Sequence, residues 1–448
     1  MSTIYALSSG RGRAGVAIIR ISGEQAGDVI RVLTGRDLPW ARHATLRWLH
    51  GPQDNRKLDQ ALVLWFPGPD SFTGEDVAEL QIHGGLAVVS AVLDAVGYVH
   101  GTRVAEPGEF ARRAFENGRF DLTGAEGLGD LIDAETEAQH RQAIRQMGGA
   151  LFRVYEDWRE RLIEAMAMVE AGIDFADEDL PEDVNAAARP IVQDLRAEIS
   201  ARMADGGRGE RIRDGVEVAI LGEPNVGKSS LLNLLARRDV AIVSDIAGTT
   251  RDILEVHLDL KGYPVTLVDT AGIREAGDSI EEEGIRRARA RAEAADLRLV
   301  MVDARDFWGG NGGPQVSESM KAWTGDRSIV VVNKIDVIEN RDLPQAQDSA
   351  YAISATTGAG VDALVHGLGK IVGDLLSTGE PPVITRTRHR QALGECLAHL
   401  DRYLEGERDI ELAAEELRLA GRALGRVTGR VDVEDVLDVV FGSFCIGK

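Results

Sequence analysis

The 448-residue sequence is poor in cysteine and contains no long apolar run. Cys396 and Cys445 are its two cysteines, too few for a cysteine-rich zinc site, and they argue against a disulfide framework. No run approaches the roughly 18 apolar residues that a membrane-spanning helix needs. The N-terminus also lacks the basic and then hydrophobic regions of a secretory signal. We therefore expect a cytoplasmic protein, with several domains because its length exceeds one ordinary core.

Positive charge is also scarce. The chain has 51 Lys and Arg against 73 Asp and Glu, which gives a formal net charge of −22. Such a surface repels nucleic acid over most of its area, so any work on RNA requires a local basic patch or a basic partner. The arginines at 286, 287, 289 and 291 form one basic cluster, but this spacing is more typical of the solvated face of a helix.

The most informative stretch is Gly222-Glu-Pro-Asn-Val-Gly-Lys-Ser229, which fits Gly-x-x-x-x-Gly-Lys-Ser. It lies between a predicted strand at 217–221 and a predicted helix at 230–238. The glycines allow backbone N–H groups to point at a phosphate, and the helix N-terminus adds partial positive charge. Lys228 is expected to reach the β- and γ-phosphates, and the Ser229 hydroxyl to bind Mg²⁺. The alternative is a simple glycine turn between strand and helix.

Four downstream motifs favour a GTP site over that alternative. Gly248-Thr-Thr-Arg-Asp252 offers Thr250 as a second Mg²⁺ ligand, and Asp269-Thr-Ala-Gly272 follows a strand. Asn333-Lys-Ile-Asp336 offers a carboxylate for the two donors of guanine, and Ser354-Ala-Thr356 offers a backbone N–H for guanine O6. Adenine lacks that pair of donors, so a buried Asp would be left unpaired. Their order resembles the translation-factor-related branch of small GTPases.

The sequence lacks the glutamine that orients the attacking water in familiar switch GTPases. The position after Asp-x-x-Gly is Ile273, which carries no donor or acceptor. One of the acids between 274 and 284 is a candidate replacement, although acids at a helix start are also favoured by the helix dipole. No arginine finger can be assigned. The amide oxygen of Asn225 in the phosphate loop is a candidate ligand for a monovalent cation.

The rest of the chain predicts α/β structure followed by helices. Residues 1–116 alternate strands and helices, and the Gly10–Gly15 fingerprint is rejected as a dinucleotide site because a strand follows it. The period changes to 3.6 between 119 and 213, residues 206–215 are expected to form a linker, and helices resume after 360. Because neither helical block has a closed core, we predict that the GTPase is inserted into a helical domain whose two halves pack together.

The chain ends in Phe444-Cys-Ile-Gly-Lys448. A cysteine four residues from the end is typical of a prenylation box, but the Gly and the terminal Lys do not fit one. An incidental cysteine in a frayed tail is one interpretation. The other, which we favour, is a functional thiol, because a neighbouring Lys can lower a thiol pKa.

Together these features resemble the MnmE (TrmE) family of tRNA-modification GTPases. The resemblance covers the whole chain and includes the runs GRGRAGVAIIRISG, SFTGEDVAELQIHGG and EPGEFARRAFENGRFDLTGAEG, the GTPase motifs and the final Cys-Ile-Gly-Lys. It implies four segments: an N-terminal α/β dimerisation and folate-binding domain (1–117), a helical domain in two parts (118–212 and 374–448), and an inserted Ras-like P-loop GTPase domain (213–373).

The resemblance also implies partners. A homodimer is expected to form through the N-terminal domains and to work with MnmG (GidA), an FAD protein, in a heterotetramer or larger complex. The pair would install an aminomethyl or carboxymethylaminomethyl group at C5 of the wobble uridine in certain tRNAs. The one-carbon unit would be linked to a folate such as 5-formyltetrahydrofolate. A partner of this kind would explain how so acidic a chain handles tRNA.

Site residues follow by position. The resemblance implies that K⁺ is held by Asn225, Ser244, Ile246 and Thr249, that Glu281 orients the attacking water, and that Cys445 matters for the modification. It implies folate contacts from Arg20, Glu79, Arg119 and Lys448, with Arg119 standing where Lys is common. The residues expected in the GTP site are Asn225, Val226, Gly227, Lys228, Ser229, Ser230, Ser244, Asp245, Ile246, Ala247, Gly248, Thr249, Thr250, Asp269, Thr270, Ala271, Gly272, Asn333, Lys334, Asp336, Ser354, Ala355 and Thr356.

Two other functions compete with this one. A regulatory GTPase of ribosome assembly shares the GTP motifs, but such proteins usually carry a basic RNA-binding module, and no segment here has that composition. A folate-binding enzyme whose GTPase only gates assembly is the second alternative. Binding of 5-formyltetrahydrofolate to the N-terminal domain would distinguish the folate-binding enzyme from the ribosome-assembly GTPase.

Overall fold

A computed structural model describes residues 2–174, 184–242, 255–269, 289–309, 316–338, 350–377, 379–405, 409–431, 434–442 and 444–447. The chain divides into two compact units. Unit 1 contains residues 1–129, 145–197 and 392–448, and unit 2 contains residues 130–144 and 198–391. The boundaries of these two units do not coincide with those of the four segments predicted from the sequence. The segment boundaries therefore stay a prediction.

The strands are β1 Thr3–Leu7, β2 Ala14–Ser22, β3 Thr45–His50, β4 Lys57–Phe66, β5 Val77–Gly84, β6 Thr102–Val104, β7 Val216–Gly222, β8 Glu255–Leu260, β9 Tyr263–Asp269, β10 Leu297–Asp303, β11 Ser328–Asn333 and β12 Ala350–Ala352. The helices are α1 Ala26–Thr34, α2 Leu86–Gly97, α3 Glu109–Glu116, α4 Leu122–Asp133, α5 Glu137–Met147, α6 Ala150–Asp174, α7 Val184–Met203, α8 Arg208–Asp214, α9 Lys228–Leu235, α10 Ala304–Gly309, α11 Glu318–Lys321, α12 Val361–Ser377, α13 Thr387–Leu404, α14 Ile410–Thr428 and α15 Glu434–Gly442. A 3₁₀ turn spans Ile335–Val337.

Unit 1 contains a mixed sheet in the order β3-β4-β5-β2-β1-β6. Its pairs are antiparallel except for β1 with β6. Alternation along the strands sends one set of side chains to a core shared with α1 and α2, as for Ile19, Leu80 and Val63. The alternating pattern read from the sequence therefore gives the predicted α/β structure, and the strand from Ala14 confirms that the Gly10–Gly15 segment does not begin a helix.

The opposite face of this sheet carries exposed apolar side chains. The register pairs Leu46 with Leu62, and Trp48 lies two residues from Leu46 on the same face. Val16, Leu46, Trp48 and Leu62 are between 39% and 58% exposed. An apolar sheet face of this kind marks a surface that another molecule can cover.

The two helical blocks of unit 1 pack together, as predicted. α14 lies along α6, where Gly421 approaches Leu162 and Met166 at 3.7 Å from the position a Cβ would take. Arg418 on α14 donates to Glu170 on α6 at 2.9 Å. Because Leu162 and Leu417 are almost fully buried, the pair closes a core that neither block could form alone.

The expected linker at 206–215 is wrong in part. Residues 208–214 form α8, which begins after Gly206 and Gly207, both at positive φ. Gly209 lies so close to the carbonyl of Ile384 that a Cβ there would overlap it. The glycines that suggested flexibility instead permit a tight turn and a close backbone approach.

Unit 2 contains a sheet in the order β12-β11-β10-β7-β9-β8. All neighbouring strands are parallel except β8, which is antiparallel to β9. The central β7 is buried on both faces, which explains its continuous apolar run. Parallel strands end at one edge of a sheet, so β7, β9, β10, β11 and β12 present their carboxyl ends together.

The predicted fold class is confirmed, with a mixed α/β sheet, a helical part and a P-loop-bearing parallel sheet. Not every apolar residue of the helical segment predicted between 119 and 213 lies in the core: Ile132, Ile144, Met147 and Ile163 are 39% to 45% exposed in the chain alone. Among the described residues, no helix combines the length and apolar character that crossing a bilayer requires.

Candidate functional site

The phosphate loop connects β7 to α9. Gly227 has φ +102, and a Cβ there would overlap the amide nitrogen of Asn333, so glycine is required. Lys228 is 7% exposed, and its ammonium donates to the carbonyls of Gly222 (2.8 Å) and Glu223 (2.9 Å). The loop therefore curls around its own lysine, at the N-terminus of α9 where an anion is favoured.

A hydroxyl and a carboxylate meet beside the loop. Ser229 Oγ on α9 donates to Asp269 Oδ2 at the end of β9, at 3.0 Å, and Asp269 is 1% exposed. Mg²⁺ prefers such oxygen ligands and usually keeps several waters, so this pair fits a Mg²⁺ site completed by phosphate. In the described part of the chain, no group of three or more His, Cys, Asp or Glu side chains could hold a metal by itself.

Asn333 joins the phosphate loop to the segment after β12. Its Nδ2 donates to the carbonyl of Val226 (2.7 Å), and its Oδ1 accepts from the N–H of Ala355 (2.9 Å). With 2% exposure, Asn333 fixes the spacing between these two segments. Ser354 is fully buried and its hydroxyl accepts from the N–H of Thr357, while Thr356 is exposed. The described residues of the phosphate loop and of the motifs at the ends of β9, β11 and β12 thus lie at one sheet edge.

Lys334 and Asp336 complete this edge. Lys334 has φ +66 and its ammonium donates to the carbonyl of Asn225, itself at φ +65 (2.7 Å). Asp336 lies in the 3₁₀ turn with its side chain exposed, as a carboxylate that binds a base must be before the ligand arrives. Ser230, on the first turn of α9, is exposed as well.

Sequence reasoning missed Asp303 at the end of β10. Its carboxylate accepts from Arg305 and from Lys334, and the residue is 8% exposed. Hydrogen bonds from Arg305 and Lys334 hold the pKa of Asp303 well below its ordinary range, although burial works the other way. A signal was present in the sequence, because Asp303 ends the apolar-rich run 297–303 as Asp269 ends another such run.

Unit 1 holds a second candidate site on the exposed face of its sheet. Arg20 on β2 and Glu79 on β5 are register partners, and Arg20 donates to Glu79 Oε1 from Nε (3.0 Å) and Nη2 (2.9 Å). The Arg20 guanidinium lies 5.0 Å from the ring centroid of Phe72 and 5.9 Å from that of Phe110. A charged pair next to aromatic rings can bind a flat polar ring system.

The C-terminal segment contacts the turn after β1 and the residues before α3. Ser8 Oγ donates to the carbonyl of Gly447 at 2.6 Å, and Ile446 forms a bridge with Pro107. The N–H of Gly108 donates to the carbonyl of Cys445 at 3.5 Å, and the Cys445 side chain is exposed. The tail is therefore held against the first unit and not frayed at these residues.

An ionic network supports the loop that carries Phe72. Arg113, 4% exposed, donates to Glu75 at 3.0 Å and to Glu109 at 3.0 Å, and Arg103 donates to Glu109 at 2.8 Å. Burial raises the pKa of Glu109, but hydrogen bonds from Arg103, the Glu106 N–H and Arg113 more than offset this, so the pKa lies below its ordinary value.

Several predicted residues lie outside the described residues or apart from these clusters. Arg119 is exposed, and its described hydrogen bond is through its backbone N–H, to the carbonyl of Ala114. The predicted residues outside the described ranges are Ser244, Asp245, Ile246, Ala247, Gly248, Thr249, Thr250, Thr270, Ala271, Gly272, Glu281 and Lys448.

Comparison with known families covers nearly the whole chain. The model described as "GTP-binding protein TrmE N-terminus" matches residues 3–119, and that of the "MnmE helical domain" matches residues 122–445. The chain is similar to curated proteins named tRNA modification GTPase MnmE: 56% identical to that of Parvibaculum lavamentivorans, 53% to that of Rhodopseudomonas palustris and 52% to that of Rhodospirillum rubrum. These matches cover 100% of this chain and 99% to 100% of each relative.

The first family model covers the sheet of unit 1, the second covers parts of both units, and the relatives align from end to end. The chain belongs to the MnmE family of tRNA modification GTPases.

Proposed function

We propose that this chain hydrolyses GTP in a reaction completed when two copies pair, and that it acts with MnmG to install (carboxymethyl)aminomethyl groups at C5 of the wobble uridine of tRNA. The proposal includes the four-segment division given above and a cytoplasmic location. The family and the names of the relatives support the GTPase activity and the tRNA substrate. The observation that carries the GTP site is the link from Val226 through Asn333 to Ala355.

In this proposal the chain binds GTP at the carboxyl edge of the unit 2 sheet. Lys228 and the loop N–H groups bind the phosphates, and Asp336 accepts hydrogen bonds from guanine. Ser229 and Thr250 are the Mg²⁺ ligands, with Asp269 beside them. Bound Mg²⁺ supplies positive charge to the β- and γ-phosphates. Ser230, Asp245, Ala247, Gly248, Thr270, Ala271, Gly272, Ser354 and Thr356 complete the proposed contacts.

K⁺ is proposed to bind at Asn225, Ser244, Ile246 and Thr249. Amide, hydroxyl and backbone carbonyl oxygens suit an alkali cation, and Asn225 is exposed at the surface of the loop. K⁺ supplies there the positive charge that an arginine finger gives other GTPases. Glu281 orients the attacking water in place of the glutamine that Ile273 replaces.

The exposed apolar face of the unit 1 sheet supports pairing with a second copy. Trp48 and Leu62 lie on the face that also holds Arg20 and Glu79. We propose that this face forms the dimer contact, and that Arg20, Glu79, Arg119 and Lys448 bind a one-carbon folate. The Glu79 carboxylate suits the adjacent ring N–H and amino donors of a pterin, and Cys445 acts in the modification chemistry.

The test is the GTP turnover rate in K⁺ and in Na⁺ over a range of protein concentrations. We expect the rate per chain to be at least about 10-fold higher in K⁺, since a charge at this position is worth roughly 10³–10⁵ in rate, and to rise with concentration. Asn225→Ala should lose the K⁺ stimulation and keep GDP affinity. Equal rates in the two salts at every dilution would end the proposal. Nucleoside analysis of tRNA from cells without the protein then distinguishes this function from that of a ribosome-assembly GTPase. Loss of a ribosome-assembly GTPase would not change the modification of the wobble uridine.

A further inference from the structure

Asp303 ends β10 at the same sheet edge as the GTP motifs but belongs to none of them. Its Oδ2 accepts from the Lys334 ammonium at 2.8 Å and from Arg305 Nη2 at 2.7 Å. Its Oδ1 accepts from Arg305 Nε at 3.0 Å and from the Arg305 N–H at 2.9 Å. One nearly buried carboxylate therefore joins two cations.

The two cations differ in exposure. The Arg305 side chain is 62% exposed and that of Lys334 is 27% exposed. Exposed ion pairs are screened by water and salt and contribute little, whereas pairs shielded from solvent are stronger. The ion pair of Asp303 with Lys334 is therefore better shielded from solvent than its pair with Arg305, and we expect it to be the stronger of the two.

Lys334 is held in a conformation that needs support. It has φ +66, and its ammonium donates to the carbonyl of Asn225, which has φ +65. Positive φ is uncommon for residues other than glycine and persists where surrounding contacts fix it. Asp303 and the Asn225 carbonyl are the two described acceptors of the Lys334 ammonium.

We propose that Asp303 is a positioning residue of the guanine-nucleotide site, which holds the Lys334 ammonium against the phosphate-loop carbonyl of Asn225. The inference rests on the proposed GTP binding and deepens it. Through this contact the guanine motif and the phosphate loop keep their spacing before a nucleotide arrives. The second link between the same segments, from Asn333 to Val226, does not use Asp303.

A structural role at the start of α10 is the competing explanation. Asp303 precedes that helix and accepts from the N–H two residues on, as a helix-capping residue does. Asparagine caps helices about as well as aspartate, but it carries no charge. Asp303→Asn therefore keeps the cap and weakens the hold on Lys334, which separates the two roles.

The experiment measures GDP affinity of the full chain with a fluorescent GDP analogue. We expect Asp303→Asn to weaken binding by about 10-fold or more, as the loss of a charge-assisted hydrogen bond does. In a Lys334→Ala background the same change should add less than about two-fold, because the carboxylate acts through that lysine. Since guanine recognition by Asp336 is not involved, the ratio of GDP to IDP affinity should be unchanged. The matched control is Asp306→Asn, an exposed carboxylate on the same helix, which should stay within two-fold of wild type.

Asp303→Glu keeps the charge and should retain more GDP affinity than Asp303→Asn. The inference is overturned if Asp303→Asn binds GDP within two-fold of wild type, if its effect is undiminished in the Lys334→Ala background, or if the glutamate variant is no better than the asparagine variant. Thermal melting without nucleotide shows whether Asp303→Asn still folds. If it does not, the GDP affinities of Asp303→Glu, alone and combined with Lys334→Ala, are compared in its place. A wild-type chain that binds no GDP would overturn the proposed function itself.

Discussion

In unit 2 the described parts of the GTP site follow the ends of parallel strands, whereas in unit 1 Arg20 and Glu79 face each other across antiparallel strands, 59 residues apart in sequence. The first arrangement keeps each motif contiguous, because a strand end and its following loop are neighbours in sequence. The second depends on the register of two strands that are distant in sequence. Contiguous motifs are therefore readable from sequence, while the unit 1 site was assigned through family resemblance.

The largest effect is expected from a single motif residue, Asp336. We predict that Asp336→Asn lowers GTP affinity by about 100-fold or more, because the bound base covers the exposed Asp336 carboxylate and sites that bury such a hydrogen-bond pair on binding discriminate by several orders of magnitude. Xanthosine triphosphate should gain affinity, since an amide can donate to the C2 carbonyl of xanthine. Displacement of a fluorescent GDP analogue by each triphosphate measures both changes.

If the two sites are independent, folate binding by unit 1 should be unaffected in the Asp336→Asn variant. Unaltered GTP affinity in Asp336→Asn would contradict the assignment of the guanine motif.

A change in the docked C-terminal segment should affect the candidate folate site of unit 1. Gly447 has φ +102, and a Cβ there would overlap the carbonyl of Leu7. We predict that Gly447→Ala displaces the tail and weakens binding of 5-formyltetrahydrofolate by about 10-fold, roughly one charge-assisted hydrogen bond from Lys448. Isothermal titration with the folate measures it.

The matched control is Gly10→Ala in the same unit, where a Cβ would meet nothing within 4 Å. GTP turnover without folate should be the same in both variants. If Gly447→Ala bound the folate as wild type does, the tail would have no part in that site.

The smallest effect is expected in the ionic network of unit 1. Glu109→Gln leaves the buried Arg113 with one carboxylate partner fewer, which costs about 1–3 kcal/mol of unfolding free energy. The folded pKa of Glu109 lies below its ordinary value of 4.5. Its contribution is therefore fully present above about pH 4.5 and is lost as pH falls through the lower folded pKa. Urea unfolding at pH 7 and at pH 4 measures the difference.

Glu116→Gln on the same helix is the control, because the pair of Glu116 with Arg112 is more than a third exposed on both sides. We expect less than about 0.5 kcal/mol from it. A Glu109→Gln penalty that did not shrink at the lower pH would show that packing, and not charge, is responsible.

Much of the fold followed from local patterns. The apolar run of β7, the alternation in β5 and the helical period of α6 each predicted the observed element, because burial on two faces, one face or one stripe leaves a distinct period. The linker at 206–215 failed because glycine serves a tight turn as readily as a flexible segment. The role of Asp303 could not be found locally, because its partner Lys334 is 31 residues away.

The sequence by itself determined the phosphate loop, the guanine motif and the strands that precede them, since each of these is encoded within a few neighbouring residues. The tertiary structure alone decided that Arg20 pairs with Glu79 and lies near two aromatic rings, that the Cys445 segment docks at Ser8 and Gly108, and that Lys334 is held by Asp303. These contacts depend on strand register and on chain segments that meet only when the core is packed.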